Sequence, residues 1–79
     1  MLDGYQKIYK FGNNYGASVV CSDFSYGGDM GLFEVAVLDL EGKIVYDTPV
    51  TDDVIGYLDF DGVAKVLQQI QNLPKNINV

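Results

Sequence analysis

The run from Leu32 to Leu38 is apolar on both sides of an extended chain, and this constrains the fold more than any other segment. Successive residues of a strand point to opposite faces. Phe33, Val35 and Val37 would share one face, and Leu32, Glu34, Ala36 and Leu38 the other. Only Glu34 breaks the apolar pattern. Such a strand belongs inside a sheet with cover on both sides. A chain of 79 residues buries only about 60% of the surface its unfolded form exposes. One helix can cover one face, so the other needs a second surface, and the expected solution is a homodimer through the sheet.

The rest of the chain supplies the partners for that strand. Gln6 to Phe11 reads as a first strand and Tyr15 to Ser22 as a second, joined by Gly12-Asn13-Asn14, residue types that tolerate positive φ in a turn. Ser25 to Gly31 is a loop with three glycines. After the central strand, Asp39-Leu40-Glu41-Gly42 makes a tight turn, and Lys43 to Asp47 returns as a fourth strand ended by Thr48-Pro49. Asp59 is placed to cap a helix over Phe60–Leu73, with Asp61 favouring its positive end and Leu58 and Val63 spaced for a hydrophobic staple. Val63, Val66, Leu67, Ile70 and Leu73 form its apolar stripe, and Pro74 ends it. The expected fold is therefore α+β: a four-stranded antiparallel β-meander with one C-terminal α-helix packed on one face. Residues 1–79 form a single domain, with 5–73 as ordered core and 74–79 as a frayed tail.

Charge narrows the partners. Between Cys21 and Gly62 ten carboxylates face one lysine, Lys43. The whole chain carries −6. This field repels nucleic acid and anionic membranes and attracts basic surfaces. No apolar run is long enough to span a bilayer, and the first ten residues lack the apolar core of a signal peptide, so the chain reads as soluble and unexported. Cys21, the single cysteine, sits in an apolar strand and reads as a small buried hydrophobe. With no histidine, neither His-ligated zinc nor Ser-His-Asp or Cys-His catalysis is available within one chain.

The remaining chemical motifs are weak. Asp47, Asp52 and Asp53 lie close enough to suggest Mg²⁺ or Ca²⁺, yet match no EF-hand spacing and read better as solvated carboxylates capping the amides of their own loop. The glycines of Tyr26 to Gly31 lack the lysine and following helix of a phosphate cradle. Glu34 is the one acid in an apolar strand and is expected to pair with Lys43 rather than to catalyse. No enzyme activity and no cofactor are expected. Tyrosine is favoured at interfaces, and the chain has six.

YGASVV (Tyr15 to Val20), FSYGG (Phe24 to Gly28), GLFEVAVL (Gly31 to Leu38) and YDTPVTDDVIGYL (Tyr46 to Leu58) together resemble a small, uncharacterised protein family of tailed phages and prophages. The resemblance carries no catalytic residue. It implies a phage accessory protein acting in the host cytoplasm. The expected function is binding and inhibition of a host protein with a basic surface, such as a nucleic-acid-binding component of a defence system, with no direct contact to nucleic acid or membrane. The residues expected to meet that partner are Asp23, Tyr26, Asp29, Met30, Asp47, Asp52 and Asp53. The alternatives are an oligomeric protein sequestering a nucleotide signal and a structural accessory of the virion.

Overall fold

The computed structural model describes residues 4–22 and 24–77. Four antiparallel strands run in sheet order β1-β2-β3-β4, and one helix follows them. They are β1 (Tyr5–Lys10), β2 (Gly16–Cys21), β3 (Phe33–Leu38), β4 (Val54–Leu58) and α1 (Phe60–Gln71). The meander and the C-terminal helix are those expected from the sequence, but the fourth strand is a different segment.

Lys43 to Asp47 begins to pair and then leaves the sheet. Ile44 bridges Leu38, and the Val45 amide donates to the Val37 carbonyl at 2.8 Å. Val54 then lies opposite Ala36. Two residues back along β3, from Leu38 to Ala36, thus correspond to ten along the returning chain, from Ile44 to Val54, so eight residues are extruded. Both pieces use the same edge of β3. The extruded loop is tied by its threonines: Thr48 Oγ1 donates to the Thr51 carbonyl at 3.2 Å, and Thr51 Oγ1 accepts from the Asp53 amide at 3.1 Å. The capping role expected of Asp47, Asp52 and Asp53 belongs to hydroxyls instead.

Helix α1 covers the face carrying Ala17, Val19, Val35 and Val37, against which Val66 and Ile70 are buried. Asp59 caps it, its Oδ1 accepting from the Gly62 amide at 2.7 Å. The other face of the sheet, with Ile8, Val20, Ala36, Leu38 and Ile44, receives no second layer among the described residues, and Ile8 and Ile44 stay exposed.

At the far end of the helix the cap comes from the β1–β2 turn. Asn13 Nδ2 donates to the carbonyls of Ile70, Gln71 and Leu73 at 2.8, 3.2 and 3.1 Å, while its Oδ1 accepts from the Tyr15 amide. Asn14 holds φ 66, the left-handed conformation expected of that turn. Part of the expected tail is tied to the same turn: the Asn76 amide donates to the Asn13 carbonyl, and Asn14 Nδ2 donates to the Asn76 carbonyl. Asn78 and Val79 lie outside the described residues.

Two stability measurements follow. Asn13→Ala strips the helix end of its donor and should cost about 1–3 kcal/mol in urea unfolding, and Asn13→Asp should cost more because a carboxylate would face the carbonyls of α1. Ile70 is 0% exposed, and Ile70→Ala should cost about 2–5 kcal/mol through lost burial and the cavity it leaves.

Candidate functional site

The loop between β2 and β3 is shaped by its own backbone. Amides of Ser25, Gly28, Met30 and Gly31 each donate three residues back, giving consecutive turns that end in a short 3₁₀ segment, Gly28–Met30. The loop is fastened to the sheet at two points. Tyr26 donates its amide to Glu34 Oε1 at 3.0 Å and accepts from the Tyr57 amide at 3.1 Å. Glu34 therefore holds this loop rather than pairing with Lys43, which lies beyond the Leu38 end of β3. Tyr26 lies against Gly56 so closely that a β-carbon there would collide with the Tyr26 Cβ. The next residue, Tyr57, is left-handed with φ 58. Glycine at 56 is thus required by the close approach of the loop.

This end of the molecule is where β2 finishes, β3 begins, β4 finishes and α1 begins. Phe24 is 100% exposed and Phe60 79%, and Tyr26, Met30 and Tyr57 are each exposed over more than half their surface. Phe60 extends an aromatic row, tilted against Phe33 with centroids 5.3 Å apart, while Phe33 meets Tyr5 edge-on at 5.8 Å. Asp29, Asp59 and Asp61 stand on the same end and are exposed.

Beside the row an open apolar cleft of about 420 Å³ runs between β1 and the start of α1. Tyr5 and Tyr9 form one wall, Phe60 and Val63 the other, with Val19, Cys21 and Phe33 beneath. It lies where α1 leans mainly on β2 and β3 rather than on β1. Cys21 is 4% exposed, with Sγ 3.9 Å from the Gly28 carbonyl, the setting of a buried hydrophobe.

The residues expected to meet a partner separate into two groups. Tyr26, Asp29 and Met30 are together on the β2–β3 loop, and all three are exposed. Asp47 is at the other end of the sheet, beside Tyr15, Asp39 and Asn76, roughly 17–20 Å away by strand length. Asp52 and Asp53 are on the extruded loop before β4, exposed to solvent. Asp23 lies outside the described residues. Of the other acids, Asp39 works on its own turn, its Oδ1 accepting from the Glu41 and Lys43 amides at 2.9 Å.

Phe24, Phe60 and the Tyr5–Phe33 pair were not singled out from the sequence, though a phenylalanine just inside a capped helix start is a legible signal. Among the described residues no three of the Cys, Asp and Glu side chains lie close enough to share a metal ion, and no helix is long and apolar enough to cross a membrane. Compared with protein-family models, curated proteins and solved structures, the chain matches none.

Proposed function

We propose that the protein is a phage-type accessory protein that binds and inhibits a host protein, docking its aromatic end on a basic surface. The partner surface that best fits the charge is the nucleic-acid-binding groove of a defence complex. The observation that carries this reading is the gathering of Phe24, Tyr26, Met30, Tyr57 and Phe60 at one end, all exposed in a domain whose core is small. Large exposed apolar clusters on so short a chain mark contact surfaces, and aromatic residues with Met are the types enriched there. Asp29, Asp59 and Asp61 supply the sign that a basic groove would attract. The phage setting rests on the sequence resemblance alone. Nucleotide sequestration is less well supported, because no lysine lines the cleft.

Aromatic anchors and distant acids act on different rate constants. Anchors hold a complex together, whereas peripheral charge steers encounter within a Debye length of about 8 Å at 0.15 M salt. A pull-down from bacterial lysate should therefore lose its principal captured protein with Phe24→Ala/Met30→Ala, at unchanged melting temperature. With the captured partner purified, Asp52→Asn/Asp53→Asn should leave affinity within about threefold while slowing association at low salt. Undiminished capture by Phe24→Ala/Met30→Ala would remove the aromatic end as the docking surface.

A further inference from the structure

Strand β1 is an edge: among the described residues only β2 pairs with it. Its register decides which backbone groups face away. The Phe11 amide donates to the Tyr15 carbonyl, and from that pair the antiparallel ladder alternates. Tyr9, Lys7 and Tyr5 turn their amides and carbonyls toward β2, so those of Gln6, Ile8 and Lys10 point outward. The strand is regular over six residues, with no proline and no register shift. It is a template for one more strand.

The apolar cleft lies on the helix side of this same strand. Tyr5 and Tyr9 belong to its wall, but Lys7 between them does not line it. The Lys7 amine is instead drawn over the Tyr9 ring, 5.1 Å from its centre. Lys7 is exposed and its amine leans toward Tyr9, so a side chain from an added strand, placed opposite Lys7, would lie on the cleft side of the sheet between the two tyrosines. Lys7 and Lys10 are the only charged residues of β1, in a chain that is otherwise strongly acidic. The two lie on opposite faces, Lys7 with Tyr5 and Tyr9 and Lys10 with Gln6 and Ile8. A second copy of β1 would bring the same lysines to the edge, whereas a strand bearing carboxylates on the face away from the cleft complements Lys10.

We propose that β1 is a docking edge for an extended, acidic segment of a partner protein. The segment adds as a fifth strand on the outward groups of Gln6, Ile8 and Lys10. Its apolar residues alternate toward the cleft, one of them placed across from Lys7, and its carboxylates lie on the opposite side, beside Lys10. Main-chain pairing would give affinity and the cleft would give selectivity, the division of labour of strand-addition modules. This surface is separate from Phe24 and Met30, and the proposal stands whether or not the aromatic end binds a basic partner.

The probe is an equimolar pool of octapeptides alternating Glu with Val, Leu, Phe or Tyr, followed by amide chemical shifts and fluorescence anisotropy on the intact chain. Binding should shift the Gln6, Ile8 and Lys10 amides and the resonances of Tyr5, Tyr9 and Phe33. N-methylating one alternate set of peptide amides should weaken binding about tenfold or more and methylating the other set should not, since only one set can face the edge. Ile8→Pro removes an outward amide at a position where an edge strand tolerates proline, and should weaken binding to a similar degree. Lys10→Glu tests the charge without touching the core or the cleft, and should transfer preference to a pool with Lys in place of Glu. The proposal is overturned if the pool fails to bind the parent chain, or if both methylated sets bind alike. Shifts confined to the uncovered sheet face would overturn it too, as would self-association of the chain through β1.

Discussion

The carboxamide of Asn13 joins the turn of one hairpin to the end of a helix 57 residues later in the chain. It is the constraint on which the layout depends. A helix of 12 residues is roughly 18 Å long, too little to roof a four-stranded sheet in every direction. By holding the C-terminal carbonyls at the β1–β2 turn, Asn13 decides which part of the sheet is roofed. Val66 and Ile70 are pressed onto β2 and β3, and the first turn, with Phe60, is left at the opposite end. The cleft and the aromatic row are what this placement leaves open.

Charge is distributed by the same economy of structure. Asp39, Asp59 and Glu34 each accept backbone amides and so belong to turns, the helix cap and the loop anchor. Asp29, Asp47, Asp52 and Asp53 sit on exposed loops around the molecule. The acidic segment is therefore a diffuse field rather than one patch, suited to steering and solubility.

Legibility in the sequence followed the range of the interactions. The helix start was readable because its cap, first-turn acid and apolar stripe all lie within a few residues. The β1–β2 hairpin and β3 were readable from alternation and turn chemistry. Lys43 to Asp47 satisfied the same local rules, and Ile44 does reach Leu38, yet the strand that completes the sheet is Val54–Leu58. Gly56 and a left-handed Tyr57 disguise that segment, and their reason is the loop at Tyr26, distant in sequence. Asn13 looked like an ordinary turn residue for the same reason. In the candidate site, Tyr26 and Met30 stood out on a glycine-rich loop, whereas Phe24 and Phe60 join them only through the topology that brings four element ends together.

The two edges of the sheet are unlike each other, and this sets what kinds of assembly the chain permits. A molecule with two open edges can pair head to tail, each copy offering a fresh template to the next, and such heterologous contacts grow into fibres unless their rotation closes. β4 is five residues long, shifts register against β3 and is interrupted at Gly56 and Tyr57. Hydrogen bonding can thus be continued from β1 but not passed on through β4. Only β1 therefore offers a regular template, and a strand added there would find no equally regular edge on the far side of the sheet at which the addition could be repeated.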